Sequence, residues 1–170
     1  MRVLTGILPL VAACAAAQAL PGKWSLEVGR DPLSRENLAT LSVKSASEIA
    51  NENGSAQVRP QLEFRCRPGG DGTISARIDW QRYVSSFNTE VGFKADDRQL
   101  LLVNWGVDKS KKITQPRSAG DSGELIAYIA GASKLLVEVI PYSEKLVSID
   151  YDISGIDEAL KALTAQCAGW

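Results

Sequence analysis

An α+β fold, mainly antiparallel β and sandwich-like, with two short helices and one disulfide, is predicted for this chain by three observations. Segments in which apolar and polar residues alternate with period two run through most of its length. Apolar residues at helical spacing mark two stretches, one past the middle and one at the end. Cys66 and Cys167 fall on the apolar faces of a strand and of the last helix. With 170 residues and 45% hydrophobic content, the chain suits one domain with one core.

Residues 1–19, MRVLTGILPLVAACAAAQA, hold one basic residue, an apolar run over 3–13 and then the small-x-small triplet Ala17-Gln18-Ala19. This reads as an export signal, leaving a single exported β-rich domain over 20–170. The run falls short of the roughly 20 residues a permanent transmembrane helix needs, and no later segment qualifies as a membrane span. Val11-Ala12-Ala13-Cys14 is similar to a lipobox, so a lipid anchor at Cys14 on an outer-membrane lipoprotein is the alternative. A signal ending before Cys14 would be unusually short, which favours cleavage after Ala19 and a periplasmic location. Cleavage there leaves Cys66 and Cys167 in an oxidising space.

WSLEVG (24–29) and NLATLSVKS (37–45) read as strands, rich in β-branched and aromatic residues and bounded by Gly and Ser. In QLEFRCR (61–67), Leu62, Phe64 and Cys66 share one face and Glu63, Arg65 and Arg67 the other. After the turn PGGDG (68–72), TISARIDW (73–80) places Ile74, Ala76, Ile78 and Trp80 together, so the pair reads as a hairpin with one charged face. TEVGFKAD (89–96), QLLLVNWGV (99–107) and KLLVEVIPY (134–142) continue the strands. Asp121 and Glu124 in DSGE resemble a capping box opening a helix through LIAYIAG (125–131), with Leu125, Tyr128 and Ile129 inward. Three loops stand out: 29–37, 47–60 and 108–121.

The segment DYDISGIDEALK (150–161) begins like a calcium loop, but Lys161 stands where the bidentate Glu belongs. Val147, Ile149, Tyr151 and Ile153 alternate with Ser148, Asp150, Asp152 and Ser154, which describes a strand with its aspartates outward. Ser154-Gly155-Ile156-Asp157 then has the form of a helix capping box, and Ile156, Ala159, Leu160, Leu163 and Cys167 share the apolar face that follows. With both cysteines inward, a Cys66–Cys167 disulfide would clamp the last helix to the sheet; two unrelated buried thiols are the alternative. Trp170 would cover the helix end.

Lys plus Arg total 19 and Asp plus Glu 20, mixed along the chain, which does not make a nucleic-acid footprint. The absence of histidine removes the commonest general base and the usual zinc sets, and no cofactor fingerprint is visible. Asp96, Asp97, Asp150 and Asp152 remain as carboxylates for a hydrolase, without a visible nucleophile beside them. The chain is therefore expected not to be an enzyme and to need no metal. Its long loops are the expected contact surface for a protein partner in the cell envelope, chiefly the basic one carrying Lys109, Lys111, Lys112 and Arg117. Asn53-Gly54-Ser55 spells a glycosylation sequon and reads more simply as a turn.

The order RPQLEFRC, TISARIDW, VGFKAD, NWGVD, a helix, LLVEVIPYSE and IDYDISGIDEALKALTAQCAGW resembles the periplasmic accessory proteins of bacterial type VI secretion called VasI or TagO, over 24–170. The family usually has a Ser-rich segment after the Trp near position 105, where this chain has Gly106-Val107-Asp108 and then lysines. The resemblance implies a non-enzymatic accessory role in secretion, with a component of the apparatus as partner, and carries over no catalytic residue. A periplasmic inhibitor or immunity-type protein is the alternative function, and a carboxylate-based envelope hydrolase the next.

Overall fold

A computed structural model describes residues 20–31 and 34–168. The signal-like segment 1–19, with Cys14, and Trp170 lie outside the described residues, so the expectations on cleavage, lipidation and the helix end are not addressed by it.

The chain folds into β1 (Ser25–Arg30), β2 (Asn37–Lys44), β3 (Ile49–Ala50), β4 (Gln57–Val58), β5 (Gln61–Cys66), β6 (Ser75–Asp79), β7 (Thr89–Ala95), β8 (Leu101–Val107), β9 (Ile113–Gln115), α1 (Ala119–Ile129), β10 (Lys134–Val139), β11 (Val147–Asp152) and α2 (Ile156–Ala168). Nine strands join in the order β1-β2-β5-β6-β9-β8-β7-β10-β11, every pairing antiparallel, while β3 and β4 make a separate hairpin. The sheet folds back on itself, because the Ala46 N–H, just past β2, donates to the Asp150 carbonyl of β11 at 2.6 Å. The predicted mainly antiparallel α+β domain with two helices is what forms.

The alternation that predicted the strands decides what lies between the layers. Leu41, Leu62, Phe64, Ile78, Phe93, Val137 and Ile149 are fully buried, together with Trp80 and Trp105. Each such side chain contributes about 1.5–3 kcal/mol relative to exposure. Helix α2 lies over β1, β2 and β5, and α1 packs against β6. Cys66 and Cys167 are bonded, with Cα atoms 5.9 Å apart and a sequence separation of 101.

Several expectations need correction. Helix α1 opens at Ser118, not at Asp121: the Ser118 hydroxyl accepts from the Asp121 N–H at 3.3 Å and donates to its carboxylate at 2.7 Å. The capping arrangement is therefore Ser-x-x-Asp, one turn earlier, which frees Ser122 to be buried and to accept from the Ala76 N–H of β6 at 3.1 Å. That contact supplies a partner where β9, which pairs only with Ile78 and Asp79, is too short to reach. At α2, the Asp157 carboxylate accepts from the Gly131 N–H at 3.2 Å, tying the helix start to the α1–β10 turn. The loop 47–60 contains the β3–β4 hairpin, and the loop 108–121 contains β9. Glu63, on the charged face of β5, is only 7% exposed, because Arg77 at 2.6 Å and Arg65 at 3.9 Å close over it.

Candidate functional site

The four cations proposed for partner contact do not form one group. Lys109, Lys111 and Lys112 share the tight β8–β9 turn, where Asp108 accepts from the Ser110 hydroxyl at 2.6 Å through its carboxylate and from the Lys111 N–H at 3.0 Å through its carbonyl. Lys109 and Lys111 are exposed, and Lys112 leans to Glu52 at 3.8 Å. Arg117 lies beyond β9 and donates to the Asn104 side chain at 3.0 Å. The intervening strand separates residues that sequence proximity had grouped.

The carboxylates have structural occupations. Asp96 sits in the β7–β8 turn with φ +45° and accepts from the backbone N–H groups of Ser133 and Lys134 at 3.2 and 2.9 Å. Asp152 accepts from the Ser154 N–H at 3.2 Å and pairs with Lys23 at 3.3 Å. Ser154, through its side chain and its backbone N–H, and then Lys23, holds the Asp152 carboxyl below the usual range. Asp150 is exposed, and Tyr151 between the two aspartates points inward. Burial pushes the Tyr151 hydroxyl well above its ordinary pKa, with Asp79 and Glu63 adding to the shift. Among the described residues, no group of three or more His, Cys, Asp or Glu side chains could hold a metal ion.

What sequence reading missed is an apolar surface. The exposed large hydrophobic residues are Val28, Phe87, Leu100, Leu102, Ile140, Tyr142 and Leu146, and all but Val28 belong to β7, β8, β10 and β11 or their connections. Leu102 pairs across Gly92 of β7, which pairs in turn with Glu138 of β10, so these three stand in one row across the sheet. The row faces outward, because a Cβ on Gly92 would meet the side chains of Leu100 and Leu102 at 3.3 and 3.4 Å. The opposite face of the same strands carries Val91, Phe93, Trp105, Val137 and Val139 into the core. Beside Gly92 lies a hollow of about 150 Å³, lined in part by Glu90, Leu102, Glu138, Ile140 and Leu146.

Phe87 and Tyr142, 71% and 64% exposed, stand on loops that are firmly held. The Tyr142 N–H donates to the Val84 carbonyl at 2.8 Å, and the Val84 N–H donates to Lys111 at 2.9 Å, so the lysine turn adjoins the aromatic loops. Behind them Arg82, 4% exposed, donates to the Ala50 carbonyl at 2.8 Å and to both oxygens of Glu144. Glu52 joins this network by accepting from the Tyr83 N–H at 3.3 Å. Its own backbone N–H, then that of Tyr83 and the charges of Lys112 and Arg82, keep its carboxyl low. The arrangement presents aromatic and aliphatic groups on backbone held by hydrogen bonds.

No family model and no curated protein matches the chain. Among solved structures, the crystal structure of invasion associated protein B from Bartonella henselae is similar, with a TM-score of 0.50 and 14% identity over 85% of this chain and 93% of that one. At that identity the likeness concerns the fold alone.

Proposed function

We propose that this chain is an exported, non-catalytic binding module that docks a protein partner on the outer face of β7, β8 and β10 and on the adjoining loops. The observation that carries the reading is the gathering of the exposed residues Leu100, Leu102, Ile140 and Leu146 around Gly92, beside loops that the Arg82 network ties together. Such residues, rimmed by charge, act as anchors at protein interfaces. The lysine turn at Lys109, Lys111 and Lys112 borders this surface and would contact acidic groups of the partner. The partner proposed is a component of a type VI secretion apparatus, which rests on the sequence resemblance.

The test combines genetics with capture. Deleting the gene should reduce effector delivery, a copy carrying Asp97→Asn and Asp150→Asn should restore it, and a folded copy carrying Leu102→Glu and Ile140→Glu should not. The same double variant should fail to retain the envelope protein that the parent retains. Normal delivery in the deletion strain would sink the secretion role, and capture of an envelope enzyme that the chain inhibits would replace it with the inhibitor reading. Loss of function in the aspartate variant alone would point to an enzyme.

A further inference from the structure

We infer that the hollow beside Gly92 receives a large apolar side chain flanked by basic residues on an extended segment of the protein partner. This inference rests on reading the surrounding face as a docking surface and adds the chemistry of what docks there.

The argument begins with the missing side chain. Gly92 is the one position in the row Leu102, Gly92, Glu138 that raises no Cβ, and it is buried beneath the tips of Leu100 and Leu102, with the hollow opening beside it. Leu102, Ile140 and Leu146 wall the hollow. The resulting volume of about 150 Å³ is the scale of one side chain, well below the roughly 300 Å³ at which drug-sized ligand pockets begin. Apolar walls favour an aliphatic or aromatic group, because burying it removes apolar area from water on both partners.

Charge sets what stands beside that group. Glu90 and Glu138 both line the hollow. Among the described residues neither has an ion-pair partner, and Glu138 accepts only from the Ser148 hydroxyl at 3.0 Å. Glu27, Glu124 and Glu158 have no ion pair among those residues either, so what distinguishes Glu90 and Glu138 is that both border one apolar hollow. Two unpaired carboxylates beside an apolar hollow complement Lys or Arg neighbours of the inserted side chain and repel acidic ones. An extended segment fits this pattern, since successive side chains of a strand point to opposite sides and residues two apart flank the one between.

The probes are acetyl-Lys-Phe-Lys-amide, acetyl-Glu-Phe-Glu-amide and acetyl-Lys-Ala-Lys-amide, titrated at low salt into the isotope-labelled exported chain while backbone amide shifts are followed. Saturable shifts at Gly92, Leu102, Ile140 and Leu146 are expected with the first peptide and not with the other two. Gly92→Ala, which raises the floor against Leu100 and Leu102, should abolish them, and Glu90→Gln with Glu138→Gln should weaken binding about threefold or more. Dispersed spectra of the variants establish that they are folded. Equal binding of the Glu-flanked peptide would overturn the charge assignment, and an absence of localised shifts with the Lys-flanked peptide would overturn the site. Either failure, alongside continued loss of partner capture in the Leu102→Glu and Ile140→Glu variant, would remove this inference and leave the docking face standing. Either failure alongside retained partner capture in that variant would remove the face itself.

Discussion

The guanidinium of Arg82 holds both carboxylate oxygens of Glu144, at 2.6 and 2.5 Å, across 62 residues of sequence. With the bond to Ala50, it joins the β3–β4 hairpin, the β6–β7 loop and the β10–β11 loop through one side chain. Removing one partner of a buried ion pair strands the other charge. Arg82→Ala is expected to cost about 3 kcal/mol in urea unfolding, because it also removes the bond to Ala50 and a buried side chain, and Glu144→Gln less, because the amide oxygen can still accept from the guanidinium. Equal stability of Arg82→Ala and the parent would show that the network does not hold the loops.

The Cys66–Cys167 bond closes a loop with a sequence separation of 101. Its removal by Cys66→Ser should lower stability by about 2–5 kcal/mol, the range for a native disulfide in a small secreted domain. Non-reducing mass spectrometry should find the cross-linked peptide, and two thiols free to alkylate without reductant would contradict it.

Calcium at millimolar concentration should leave the melting temperature unchanged. Both oxygens of Asp152 are engaged, by the Ser154 N–H and by Lys23, and Lys161 stands at the twelfth position. A saturable rise that disappears in Asp150→Ala would mean that the segment binds the ion after all.

Acid stability follows from the depressed carboxyls. Asp152, lowered first by Ser154 and further by Lys23, ionises more readily folded than unfolded. Its contribution is present above the unfolded aspartate pKa of about 3.9 and is lost as pH falls through the folded value. Stability should therefore drop below about pH 4, and Asp152→Asn should shallow that drop.

Tyr151 has the opposite sign. Its hydroxyl, buried with no hydrogen-bond partner among the described residues, is held neutral, so stability should fall as pH rises past the unfolded tyrosine pKa of about 10. Tyr151→Phe should remove that alkaline loss. At neutral pH it should be neutral or stabilising by up to about 1 kcal/mol, since a stranded donor is replaced by carbon of the same shape. A loss of several kcal/mol on this change would reveal a partner for the hydroxyl.

Strands with strict alternation, such as β5 and β11, were legible because one face had to be buried whatever the topology. The disulfide was legible for the same reason, each cysteine lying on an apolar face. The two-residue strands β3 and β4 and the three-residue β9 carry too few positions to show a period. The exposed apolar face was hidden for a different reason. In QLLLVNWGV, apolar residues occupy both faces, a pattern that ordinarily describes a strand covered on both sides. Only the strand order shows that both helices pack elsewhere and leave Leu100 and Leu102 bare. Lysines close in sequence suggested a patch, and the fold divides them from Arg117.

The N-terminal segment at Pro21 and Gly22 is stacked on Ser154 and Gly155, so closely that a Cβ on Gly155 would stand 2.7 Å from that of Pro21. A polypeptide leaves the ribosome with its beginning first and its end last. Here the beginning has its resting place on residues that emerge near the end, as does Cys66 on Cys167. Early strands can pair as soon as they are made, but closure must await the whole length. A chain cut after Asp152 is accordingly expected to stay sensitive to protease, and a resistant product would show that closure does not depend on the tail.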